Sequence, residues 1–82
     1  MIVMGIEVSP AAENELEGWM KSHAGENGFR ASQLVEKVTK LGIPNLSGVD
    51  VSMRVADRML QKHKKARNIA LRGANNWCWV KH

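Results

Sequence analysis

Apolar residues recur with helical spacing along most of the chain. Ala12, Leu16, Trp19 and Met20 stand at i, i+4, i+7 and i+8, one stripe of a helix with Glu13, Glu15, Glu17 and Lys21 away from its centre. Ser9-Pro10 supplies the start, because Ser accepts a bond from a free backbone N–H and Pro tolerates the first helical position. The pattern predicts a first helix over residues 10–23. Ala24-Gly25-Glu26-Asn27-Gly28 ends it in a loop, and Phe29-Arg30-Ala31 has the length of a bridging strand. Ala31, Leu34, Val35, Val38 and Leu41 then define a second helix over 31–41, stopped by Gly42, Ile43 and Pro44. A third helix begins between Ser47 and Asp50, either of which can cap it. Its inward face takes Ser52, Val55, Ala56, Met59, Leu60 and His63. The opposite face carries Val51, Arg54, Arg58, Gln61 and Lys65, flanked by Asp57 and Lys62.

Beyond Ala66 the period falls to two. Ile69 and Leu71 alternate with Asn68, Ala70 and Arg72, and Trp77 and Trp79 alternate with Cys78 and Val80. Gly73-Ala74-Asn75-Asn76 between them tolerates positive φ and suits a hairpin turn. Met4, Ile6 and Val8 alternate with Gly5 and Glu7, which suggests a short N-terminal strand over residues 1–8. The expected fold class is α+β, three helices with a C-terminal two-stranded hairpin, in a single domain spanning 1–82.

Charge adds direction to this pattern. The net charge of +4 is unevenly placed. Residues 1–41 balance to −2, with Lys21, Arg30, Lys37 and Lys40 against Glu7, Glu13, Glu15, Glu17, Glu26 and Glu36. Residues 42–82 balance to +6, with Arg54, Arg58, Lys62, Lys64, Lys65, Arg67, Arg72 and Lys81 against Asp50 and Asp57. The basic half is the candidate surface for a polyanion. One cysteine, Cys78, forms no internal disulfide, so the expected setting is a reducing, cytoplasmic one. Met1-Ile2-Val3-Met4-Gly5-Ile6 is apolar but lacks a basic lead-in and breaks at Glu7, short of a signal core or a membrane span.

Helix, short strand, helix, turn, third helix and terminal hairpin resembles the winged helix-turn-helix superfamily from about Ser9 onward. The resemblance rests on Phe29-Arg30-Ala31-Ser32-Gln33-Leu34-Val35, on Val51 through Lys65 and on the hairpin from Arg67 to Val80. The connection Gly42-Ile43-Pro44-Asn45-Leu46-Ser47-Gly48 is longer than the tight turn of the simplest members. The resemblance implies a third helix in the major groove of double-stranded DNA and a wing on the backbone or adjacent minor groove. Arg and Gln can each pair bidentately with guanine or adenine edges, which suits Arg54, Arg58 and Gln61 on the outward face. Lys62, Lys64, Lys65 and Arg67 cluster where helix meets wing and would neutralise phosphates, and Arg72 could reach a phosphate or a narrow minor groove. A small transcription regulator or replication accessory factor, of the kind carried by phages or plasmids, fits these expectations. Useful specificity would require a homodimer or a larger protein partner, and Met4, Ile6 and Val8 could supply an edge for either.

Each feature also has a plainer reading. Lys62, Lys64 and Lys65 equally suit a solvated helix C-terminus, where cations favour the dipole. Arg54 with Asp57, or Asp57 with Gln61, could form ordinary surface pairs. Trp77 and Trp79 share a strand face, and either stack on unpaired bases or lock the hairpin onto the helices with Trp19 as a partner. His23, His63, His82 and Cys78 match no zinc spacing, so no metal or other cofactor is expected. No phosphate loop or nucleophile motif is present, which points away from an enzyme and from a small-molecule substrate. The rival to DNA binding is a winged-helix module that docks on a larger protein through acidic helix one or the Trp-bearing hairpin.

Overall fold

The structure is a computed structural model that describes residues 1–3, 5–23, 28–41 and 49–81. Three helices and two two-stranded antiparallel sheets make an α+β arrangement: β1 (Ile2–Val3), β2 (Ile6–Glu7), α1 (Pro10–Lys21), α2 (Ala31–Lys40), α3 (Val49–Lys65), β3 (Ile69–Arg72) and β4 (Asn76–Trp79).

The N-terminal segment differs from the expected single strand. It doubles back at Gly5, pairing Ile2 with Glu7 and Val3 with Ile6. Val3 and Val8 are buried, which anchors this small hairpin to the core. Val8 is therefore not available as a strand edge for a partner, and Met4 lies outside the described residues.

Ser9 caps α1, its Oγ accepting from the Ala12 N–H at 3.2 Å. The helix ends at Lys21, two residues earlier than the spacing predicts, because Ser22 and His23 turn onto its last carbonyls. At the start of α2, Gln33 Oε1 accepts from the Arg30 N–H at 2.8 Å. Its predicted stop at Gly42 to Pro44 lies outside the described residues, as do the loop at 24–27, the 42–48 connection, the Ser47 cap and His82. Helix α3 already includes Asp50.

One apolar cluster joins these elements. Leu16 and Met20 of α1, Leu34 and Val38 of α2, and Val55, Ala56, Met59 and Leu60 of α3 are buried against Phe29 and Ile69. Ala31, predicted on the inward stripe, is exposed: as the first residue of α2 it borders the surface clefts at both sides of that helix end. Phe29 is fully buried and also a backbone bridge. Its N–H donates to the Trp77 carbonyl and the Trp77 N–H to the Phe29 carbonyl, both at 2.8 Å. The segment before α2 is thereby stitched to the last strand. Gly28, just before the bridge, lies against the Asn76 side chain, which would have to move to admit a Cβ there.

Strands β3 and β4 pair Ile69 with Trp79, Ala70 with Cys78, Leu71 with Trp77 and Arg72 with Asn76. The connecting turn is the three-residue loop Gly73-Ala74-Asn75, with Gly73 at φ +70°, so Asn76 opens the strand instead of closing the turn. Trp77 and Trp79 are half-buried and packed on the core. Trp19 meets Phe29 edge-on at 5.2 Å and His23 at 4.3 Å. Both of these neighbours link it to the hairpin, Phe29 through its bridge to Trp77 and His23 through its carbonyl, which accepts from the Trp79 N–H at 3.2 Å.

Candidate nucleic-acid interface

The outward face of α3 follows from what its inward face buries. Ser52, Val55, Ala56, Met59, Leu60 and His63 are buried at three- and four-residue spacing, which turns Arg54, Arg58, Gln61 and Lys65 to solvent. The helix is seated on α2 by apolar packing and by a 3.1 Å hydrogen bond between the Thr39 and Ser52 hydroxyls.

Its C-terminus is closed by a Schellman motif. The Asn68 N–H donates to the His63 carbonyl at 2.9 Å and the Arg67 N–H to the Lys64 carbonyl at 3.1 Å. Arg67 occupies the left-handed position of that motif, at φ +60°, where glycine is the usual residue. Asn68 then holds the hairpin against α3. Its carbonyl accepts from the Val80 N–H at 2.8 Å and its side-chain amide donates to His63 Nδ1 at 2.9 Å. A ring nitrogen that accepts belongs to a neutral imidazole, and burial pushes His63 below its ordinary pKa, with Glu17 opposing that shift. His63 Nε2 and Asn68 Oδ1 are buried without hydrogen-bond partners. The His63 ring lies 5.4 Å from Trp79, on whose ring Lys21 Nζ also rests at 5.4 Å.

The ion pairs sort the charges into two groups. Lys62 bonds Glu13 of α1, whose other oxygen lies 3.9 Å from the Met1 ammonium. That hydrogen bond is the main reason the Glu13 pKa is held below its ordinary value. Lys37 pairs with Glu15 at 3.6 Å and Lys40 with Glu36 at 3.2 Å. Much of the acidic half is thus neutralised within the fold. Among the described residues, Arg54, Arg58, Lys64, Lys65, Arg67 and Arg72 make no ion pair, and all six are exposed. Neither Arg54 nor Arg58 pairs with Asp57, which stands exposed between them.

Of the eight nominated residues, Lys62 is therefore set apart by its link to α1. The other seven follow the outer side of α3, its C-terminus and the edge of the hairpin. Arg30 joins them, although its position in the sequence does not single it out. It is exposed at the start of α2 and lines one cleft with Arg72 and the Gly73–Asn75 turn. The Phe29–Trp77 bridge, a long-range contact, is what brings that turn to α2.

Such a surface can neutralise a row of phosphates and offer bidentate donors to base edges. No grouping of three or more His, Cys, Asp or Glu among the described residues is placed to hold a metal ion. No described helix is long and apolar enough to cross a membrane. No family model matches the chain, and neither curated proteins nor solved structures provide a match.

Proposed function

We propose that the chain is a winged-helix DNA-binding protein, with α3 entering the major groove and the β3–β4 hairpin acting as the wing. The observation that carries this reading is the division of charge. Glu13 and Glu15 of α1 and Glu36 of α2 are engaged in ion pairs, while six of the exposed cations that make none stand on the outer face of α3, at its C-terminus and on the hairpin. An array of exposed cations in which Asp57 is the one acidic neighbour on the outer face among the described residues suits a polyanion. The element order and the Phe29–Trp77 bridge support the winged-helix assignment.

Arg54, Arg58 and Gln61 would read base edges, with Lys64, Lys65, Arg67 and Arg72 on phosphates. The role would be that of a small transcription regulator or replication accessory factor, acting with a second copy or a partner protein because one such module offers limited contact area. Docking through acidic helix one draws less support, since Glu13 and Glu15 are already paired. The half-buried packing of Trp77 and Trp79 favours a structural role over stacking on single strands.

The test is fluorescence anisotropy of a labelled random-sequence duplex and the matching single strand at about 50 and 200 mM salt. Duplex binding that weakens steeply with salt supports the reading. Preference for the single strand would redirect it to the tryptophans, and no binding at low salt would favour a protein partner.

A further inference from the structure

Arg30 and Arg72 are far apart in the chain, and β4 brings them into one row. Strand pairing sets Arg72 opposite Asn76. On the other edge of β4, Phe29 bridges Trp77 in antiparallel register, and Arg30 continues that segment with extended backbone at φ −98° and ψ 155°. One residue beyond the bridge, Arg30 therefore stands opposite Asn76 as well. Residues at paired positions share a face, which here is the one turned away from the buried Phe29 ring. The order across the sheet is Arg30, Asn76, Arg72. With neighbouring strands about 4.8 Å apart, the two arginine backbones stand about 10 Å from each other on either side of a neutral residue.

Their shared surroundings carry one sign of charge. Both side chains are exposed, neither makes an ion pair, and they line one cleft with the Gly73–Asn75 turn and Asn76. Among the described residues, no acidic side chain lines that cleft or the adjoining one, which Arg30 shares with Ser32, Leu71 and Trp77. Two guanidinium groups held on one face without a counter-charge repel each other, and an anion between them removes that cost. The two free oxygens of a phosphodiester give each guanidinium a charged partner.

We propose that Arg30 and Arg72 clamp one and the same phosphate of the DNA backbone, one from the segment before α2 and the other from the wing. The inference rests on the DNA-binding reading above and adds a cation to it without adding a phosphate.

The test is the salt slope of binding to a random-sequence duplex, measured by anisotropy for Arg30→Gln, Arg72→Gln and the double variant. The slope counts neutralised phosphates, about 0.9 for each. Either single variant leaves one guanidinium on the shared phosphate, so its slope should stay near the wild-type value. The double variant should lose about 0.9, which makes the fall in affinity between about 50 and 200 mM salt roughly 3.5-fold smaller. Arg30→Lys combined with Arg72→Lys keeps both charges and should keep the slope. A loss of about 0.9 in each single variant, and twice that in the double, would mean two separate phosphates and overturn the inference. An unchanged slope in the double variant, or an equal loss in the lysine pair, would overturn it too, while leaving the DNA-binding reading standing. Absence of duplex binding by the wild-type protein would instead remove that reading, and this inference with it.

Discussion

Arg67 closes α3 in a backbone conformation that L-residues adopt at a cost, and it does so within the basic cluster. The left-handed region costs a residue with a Cβ about 1–2 kcal/mol. Glycine would relieve that strain, but its greater freedom in the unfolded chain returns about 0.5–1 kcal/mol. Arg67→Gly should therefore stabilise the fold by about 0.5–1 kcal/mol, a rise in Tm of roughly 3–6 °C for a domain of this size. The same change removes one of the four cations assigned to phosphate: Lys64, Lys65, Arg67 and Arg72. With a slope near −0.9 per phosphate, four contacts lower affinity roughly 150-fold between about 50 and 200 mM salt, and three lower it roughly 40-fold. Thermal melting by circular dichroism gives the first quantity, and anisotropy of a random-sequence duplex at several salt concentrations gives the second. A variant that melts lower than wild type would refute the strain argument. One that melts higher with an unchanged salt slope would refute the phosphate contact.

Lys64→Ala should lower the magnitude of the salt slope by about 0.9, whereas Lys62→Ala should leave it near the wild-type value, because Glu13 already offsets that charge; equal effects of the two would contradict the partition. Lys62→Ala should instead cost about 0.2–1 kcal/mol in urea unfolding, the range for a partly exposed ion pair. That difference should fade as acid protonates Glu13: a carboxyl held below 4.5 contributes stability above that pH and loses it as pH falls through the folded-state value. His63 runs the other way in cause but also weakens the fold in acid. Its folded pKa lies below 6.5, so the unfolded chain takes up a proton that the folded chain refuses, and stability should decline as pH drops from about 7.5 to 5.5. Urea titrations of wild type and His63→Gln should show the decline reduced in the variant, and identical declines would exclude His63 as its source. Phe29→Ala should cost about 3–5 kcal/mol, enough to leave a protein of ordinary stability marginally folded; a loss below about 1 kcal/mol would contradict the central packing of that ring.

The helices and the C-terminal hairpin were legible because each repeats a period long enough to separate two faces. All six inward residues of α3 are buried, and the faces of α1 and α2 follow in the same way apart from Ala31. The N-terminal hairpin was not legible, since two-residue strands carry no period and the turn at Gly5 reads equally as a residue within one strand. Nor was the special position of Lys62: its partner Glu13 is 49 residues away and belongs to a different helix, so only packing reveals the pair. The left-handed conformation of Arg67 was not legible because that cap position is signalled in a sequence by Gly or Asn, and neither stands there. The cation cluster itself was visible as a difference between the two halves of the chain. Which of those cations remain unpaired depends on tertiary contacts.

The proposed interface is a place on the molecule, so the most direct measurement is residue-resolved. Backbone amide NMR spectra of the ¹⁵N-labelled protein, titrated with a random-sequence duplex at low salt, would locate the contact. Shifts concentrated on Arg54, Arg58, Gln61 and the Lys64–Arg72 segment, with Pro10–Lys21 little changed, are the predicted result. Shifts concentrated on α1, or spectra unmoved at saturating duplex, would contradict it.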